Sequence, residues 1–299
     1  MSPRHRAKRR WNPALVAALV VPPVIVVAFL FVTGGNEPPG RSGASEPGVA
    51  HVHGLGVNPA NDELQVATHY GSFTIPTDGV ATRVGASYQD TMGFTVVGPD
   101  HFFGSGHPDV AGIRKGQPGL LGLIESTDAG ATWESVSLSG EVDFHGLAFD
   151  HDQVYGWDAT SGRFMVSDDT RTWETRSTID LASFAVDPSD ADHVVAASAD
   201  GLVESADGGR RWSIVDGPEV VTLSWDRAAG LWGATADGSV HGSRNGSEWE
   251  EVGSLPGPPE ALLAAGEVLY AAAEEEDVTG IYRSDDRGRS WQLQYRDAR

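Results

Sequence analysis

The chain has 299 residues, with 21 Lys and Arg against 42 Asp and Glu, a formal net charge of −21, 40% hydrophobic residues and no cysteine. The absence of cysteine excludes disulfides, thiolate metal sites, Cys nucleophiles and a lipid anchor on cysteine. Five of the basic residues lie in the first ten, MSPRHRAKRR, so the rest sets 16 basic groups against 42 acidic ones. A body that acidic repels nucleic acid and anionic lipid, which need Lys and Arg against their phosphates.

After the basic head, Leu15 to Val32 reads LVAALVVPPVIVVAFLFV, 18 residues without a charge. That meets the lower limit for crossing a bilayer, at ~1.5 Å rise per residue over ~30 Å. The basic head would stay cytoplasmic and the remainder would lie outside. Residues 1–33 are therefore expected to be a cytoplasmic head and a signal-anchor helix, giving a single-pass protein of the cell membrane. The alternative is a signal peptide cleaved near Thr33-Gly34-Gly35, which would release the body by secretion. Residues 34–49, GGNEPPGRSGASEPGV, read as a flexible linker.

From residue 50 to 299 one design repeats. The segments are STDAGATW (126–133), SDDTRTW (167–173), SADGGRRW (205–212), SRNGSEW (243–249) and SDDRGRSW (284–291). Their tryptophans are spaced by 40, 39, 37 and 42 residues, a period that marks a blade-by-blade β structure. Within a turn, the Asp side chain accepts hydrogen bonds from nearby amides, Gly130 or Gly288 supplies positive φ, and the Trp offers an apolar plate.

The segment resembles the Asp-box, or BNR repeat, Ser-x-Asp-x-Gly-x-Thr-Trp, of the sialidase-like and glycosyl hydrolase-like propellers, and with its expected anchor the chain resembles a membrane-anchored bacterial type of them. Ser126 to Trp133 matches at every defined position, and the other copies drift. The resemblance implies turn architecture carried by Asp128 and Trp133, Asp169 and Trp173, Asp207 and Trp212, Asn245 and Trp249, and Asp286 and Trp291.

Reading outward from each turn gives four short strands per repeat, as in FHGLAFD, QVYGWDA, GRFMVSD and WETRST of the third. The first repeat starts at HVHGLGV and has a degenerate turn, PTDGVATR (76–83), with Arg83 in place of Trp. The expected fold is all-β: a β-propeller of six blades, each of four antiparallel strands with Asp-box turns, after an N-terminal transmembrane helix.

In a propeller the innermost strand of each blade lines the channel. Aligning the six inner strands places His53, Met92, His145, Ala182, Val221 and Glu260 at one position. His69 and His107 match each other at the ends of the second strands, and His51 shares a strand face with His53. An architectural ring should look alike in every blade, yet the imidazoles and Met92 fall in blades one to three. Imidazole suits zinc, copper or nickel, and a thioether favours copper. His53, His69, Met92, His107 and His145, with His51 as an additional member, are the candidate metal ligands, for copper or zinc. The bland alternative is that each His bonds a neighbouring carbonyl in a wet channel. An insert, Pro108 to Gly119, follows His107 and is expected either over the channel mouth or on the far rim.

Sialidases clamp the substrate carboxylate with three arginines, one in a Phe/Tyr-Arg-Ile-Pro motif. Here the nearest match is Phe73-Thr-Ile-Pro76, with Thr74 where the arginine belongs, so sialidase activity is not expected. Another glycosidase would need two opposed carboxylates. Asp90, Asp143, Asp158 and Glu260 lie near inner strands, and Asp143, Asp158 and Glu260 are the catalytic candidates, without a spacing that selects two. The resemblance also extends to assembly factors of photosynthetic complexes and to sorting-receptor ectodomains. The first reading is therefore a membrane-tethered extracytoplasmic binding or assembly module, on balance not an enzyme, that takes a protein partner or small ligand at the channel. A metal-binding protein is the second reading and an exo-glycosidase the third.

Overall fold

The computed structural model describes residues 48–76 and 79–297. The expected anchor, nearly all of the linker, and Thr77 and Asp78 of the degenerate turn lie outside the described residues. Among the described residues no helix is long and apolar enough to cross a membrane.

Among the described residues, twenty-four strands form six four-stranded antiparallel sheets, each built from consecutive strands. Blade 1 contains β1 (Val52–Asn58), β2 (Glu63–Thr68), β3 (Gly71–Ile75) and β4 (Thr82–Val84). Blade 2 contains β5 (Asp90–Gly98), β6 (His101–His107), β7 (Leu123–Ser126) and β8 (Glu134–Ser137), with the short helix α1 (Val110–Arg114) between β6 and β7. Blade 3 follows with β9 (Phe144–Asp150), β10 (Gln153–Asp158), β11 (Arg163–Ser167) and β12 (Glu174–Thr178). Blade 4 has β13 (Leu181–Asp187), β14 (Asp190–Ser198), β15 (Gly201–Ser205) and β16 (Ser213–Ile214). Blade 5 has β17 (Val220–Asp226), β18 (Gly230–Thr235), β19 (Ser239–Ser243) and β20 (Trp249–Ser254). Blade 6 ends the ring with β21 (Pro259–Ala265), β22 (Val268–Glu275), β23 (Val278–Ser284) and β24 (Gln292–Arg296). The protein is a six-bladed β-propeller.

Burial follows position in the blade. Second strands such as β10 and β22 are buried along most of their length, because a neighbouring blade covers each face. Fourth strands such as β12, sequence ETRST, are largely exposed and polar. Apolar clusters fill every seam between blades. Phe94 and Phe102 meet Ala67 between blades 1 and 2, and Phe164 and Trp157 meet Phe184 and Val194 between blades 3 and 4. The inner strands approach closely: a Cβ on Gly93 of β5 would stand 2.4 Å from the carbonyl oxygen of Phe144, so only glycine fits there.

Among the described residues, closure uses neither an exchanged strand nor a seventh sheet. Val49, Val52 and Leu55 pack with Ala261, Tyr270 and Ile281 of blade 6, so Val49, placed in the linker by composition, is buried in the ring. Side chains also stitch the inner ring. Phe144 N donates to Ser105 Oγ at 3.0 Å, Leu223 N to Ser183 Oγ at 3.0 Å and Ala264 N to Ser224 Oγ at 2.9 Å. At the closing seam Val52 N donates to Glu260 Oε2 at 2.8 Å.

The repeated turns join third to fourth strands. In the first complete copy Ser126 Oγ accepts from Gly130 N at 2.8 Å, and Asp128 accepts from Thr132 N at 2.9 Å and Thr132 Oγ1 at 2.7 Å. Gly130 has φ 87°. Trp173 Nε1 and Trp212 Nε1 each donate at 3.0 Å to a serine on the outer strand of the preceding blade, Ser137 and Ser177. In blade 1, Arg83 takes the tryptophan's place, with its guanidinium 4.6 Å from the Phe73 ring centre and 4.2 Å from that of Tyr88.

Candidate functional site

Each blade is an up-and-down meander, so first strands begin and second strands end on one face. The turns between third and fourth strands lie on the opposite face. The repeated Ser-Asp-Trp turns are thus separated from the histidines by the thickness of the ring.

The six residues aligned from sequence share one backbone feature. Register shifts place His53, Met92, His145, Ala182, Val221 and Glu260 each as the extra residue of a β-bulge near the start of its inner strand. Bulges re-aim side chains and recur beside functional sites. The second-strand histidines are also equivalent. His69 N donates to His51 O at 3.1 Å, and His107 pairs with Asp90 in the next blade's ladder.

Two clusters result. At the seam of blades 1 and 2, His53 Nε2 lies 3.3 Å from Asp90 Oδ1 and His69 Nδ1 lies 2.9 Å from Asp90 Oδ2. At the seam of blades 2 and 3, His145 Nε2 lies 2.9 Å and His107 Nε2 3.3 Å from the same oxygen, Asp143 Oδ2. His107 Nδ1 stands 2.9 Å from Gly119 O in the insert. His51 is exposed, with its ring centre 6.2 Å from that of His69. Met92 is partly buried, two residues beyond Asp90 on β5.

The two seams differ electrostatically. The hydrogen bond to Asp143 raises His107 to about 9, against the opposing effect of burial and with help from Gly119 O and the charge of Asp90. Burial alone would raise Asp143, whose side chain is 6% exposed, but hydrogen bonds from His107 and His145 outweigh it and hold the carboxyl well below its ordinary range. Among the described residues His53 Nε2, Asp90 Oδ1 and Asp143 Oδ1 are buried atoms without a hydrogen bond.

The insert after His107 lies on this face. Asp109 caps α1 by accepting from Gly112 N at 2.7 Å, and its other oxygen accepts from Tyr88 N at 3.0 Å. Four of the seven large hydrophobic side chains exposed among the described residues belong to segments of this face in blades 1 and 2: Tyr70, Tyr88, Val110 and Ile113.

The other carboxylates have structural partners. Asp158 is fully buried at the end of β10 and accepts from Asp143 N, Thr160 and Ser161, with Arg163 at 3.0 Å. Burial would raise it, but these bonds lower it. Glu260 joins Val52 N to Thr279 Oγ1 across and within the closing blade. Sequence reasoning named Asp90 as a nearby carboxylate and Asp143 as a catalytic candidate, and missed their pairing with the histidines. The available signal was position: each stands two residues before the aligned Met92 or His145, where blade 1 has His51.

No protein-family profile matches the chain, and no curated protein does. Solved structures do match. A chain of a nidogen/laminin complex aligns with a TM-score of 0.61 at 12% identity, covering 77% of this chain and 91% of that one. A putative gluconolactonase aligns at 0.56 and 16% identity, covering 75% and 86%. The GH74 xyloglucanase of Xanthomonas campestris aligns at 0.50 and 20% identity, covering 81% of this chain but only 37% of its own. These likenesses are of fold.

Proposed function

We propose that this protein is a membrane-tethered, extracytoplasmic propeller of the Asp-box, sialidase-like type that acts as a binding or assembly module. It takes a protein partner or small ligand at the channel mouth of blades 1–3. The observation that carries this reading is the asymmetric arc on one face, where buried nitrogen and oxygen atoms of His53, Asp90 and Asp143 lack hydrogen bonds. Such atoms are costly unless something meets them. Beside the arc, Tyr70, Tyr88, Val110 and Ile113 supply exposed apolar surface of the kind a partner covers.

A glycosidase would have to rely on Asp143, because Asp158 and Glu260 serve the backbone and hydroxyls around them. Asp143 is itself engaged by two imidazoles, which supports a binding role over proton transfer to a sugar.

The test is photo-crosslinking of the full chain in its native membrane, with the probe at Ile113 or, as a control, at Ile214 on the outer strand of blade 4. A discrete adduct from Ile113 alone is expected. Equal labelling at both positions, no adduct, or turnover of fluorogenic glycosides lost in Asp143→Asn would overturn the proposal.

A further inference from the structure

We propose that His53, His69 and Asp90 bind one divalent transition-metal ion, zinc or copper(II), and that the neighbouring His107, Asp143 and His145 do not bind a second. This deepens the reading of the blade 1–3 mouth as a binding surface and rests on it.

The three side chains come from separate segments of two blades, yet one ligand atom of each lies within 4.8 Å of the others. Around a tetrahedral zinc with bonds of ~2.0–2.1 Å, neighbouring ligand atoms sit ~3.3 Å apart. His53 Nε2 and Asp90 Oδ1 are 3.3 Å apart, and both are buried without a hydrogen bond. Polar atoms in that condition, facing one another, are what an ion between them would satisfy. The His69 side chain is 49% exposed, so an ion can reach the cluster from solvent. Two imidazoles and one carboxylate form a donor set that zinc and copper(II) both accept, with copper the stronger binder. Three protein ligands leave a position for water or for a donor group of a partner.

The second seam has the same residue types in a different arrangement. Both imidazoles converge on the single oxygen Asp143 Oδ2, and the other ring nitrogen of His107 faces Gly119 O. Among the described residues, only the first seam brings one ligand atom from each of three such side chains within 4.8 Å of one another. At the first seam Asp90 presents a different oxygen to each histidine.

The proposal is tested by titrating the full chain, purified without a polyhistidine tag and stripped with EDTA, with zinc chloride or copper(II) chloride alone. One equivalent should bind, and the copper(II) EPR spectrum should carry hyperfine coupling from two nitrogens. Asp90→Asn and His69→Ala should each weaken binding at least tenfold, while His193→Ala, on blade 4, should leave it within twofold. Thermal melts establish that the variants fold, and His69→Gln replaces His69→Ala if the latter does not. No stoichiometric binding, two equivalents, or equal affinity in Asp90→Asn and His193→Ala would overturn the assignment. Crosslinking at Ile113 without metal binding would end the metal proposal and leave the binding-surface reading standing. Metal binding without a crosslinked adduct would do the reverse.

Discussion

His69 Nδ1 stands 2.9 Å from Asp90 Oδ2 across the seam of blades 1 and 2. One seam further on, His107 at the equivalent chain position turns its other ring nitrogen to the aspartate, with Nε2 3.3 Å from Asp143 Oδ2. In both cases a histidine at the end of a second strand meets an aspartate just ahead of the next blade's bulge. The pairing stops after blade 3, where Ala159 follows β10.

The His107–Asp143 pair should make stability depend on alkaline pH. His107 is raised from 6.5 to about 9 in the folded protein. A raised cation stabilises the fold fully below its unfolded value and ceases to as pH rises through the folded value. The melting temperature should therefore fall between roughly pH 6.5 and 9. In His107→Gln that slope should flatten, and thermal melts across this range check it. An unchanged slope would show that the pair contributes nothing.

The turn aspartates act at the other end of the scale. Hydrogen bonds from Thr172 N and Arg171 N bring Asp169 to about 2, and bonds from the side chain and backbone of Ser290 do the same for Asp286. A lowered carboxyl stabilises the fold above its unfolded value and loses that contribution as pH falls through the folded one. Cooperative loosening between about pH 4 and 2 is expected. Asp169→Asn and Asp286→Asn should shallow it in an acid titration followed by tryptophan fluorescence.

Ring closure should depend on an acceptor at residue 260. Glu260→Ala leaves Val52 N without its 2.8 Å partner at a buried residue, at a cost of about 1–3 kcal/mol. Glu260→Gln retains an acceptor oxygen and should cost less. Urea unfolding of both variants separates a hydrogen-bond role from a need for charge.

Phe164 tests the seam packing away from the site. Its ring is fully buried and meets Phe184 and Trp212 with ring centres 5.1 and 5.4 Å away. Phe164→Ala should destabilise the protein by about 3–5 kcal/mol in denaturant unfolding. Metal affinity measured under folding conditions should be unchanged, because the substitution lies between blades 3 and 4.

The sequence by itself determined the ring. A turn recurring about every forty residues, with four short strands around each copy, predicts six blades, and the inner strands FHGLAFD and LASFAVD coincide with β9 and β13. It also aligned the six inner positions, because the backbone repeats even where side chains do not. Periodicity is a local property, and strand patterning and turn chemistry are written residue by residue. The site depended on what meets across a seam. Asp90 lies 37 residues from His53 and 21 from His69, and no spacing rule brings a carboxylate to the histidines of the preceding blade. Nor does composition show that Asp90 divides its two oxygens between two imidazoles while Asp143 offers one oxygen to both. Those choices follow from the bulges and from how closely neighbouring inner strands pack. They exist only once blades 1, 2 and 3 have packed against one another.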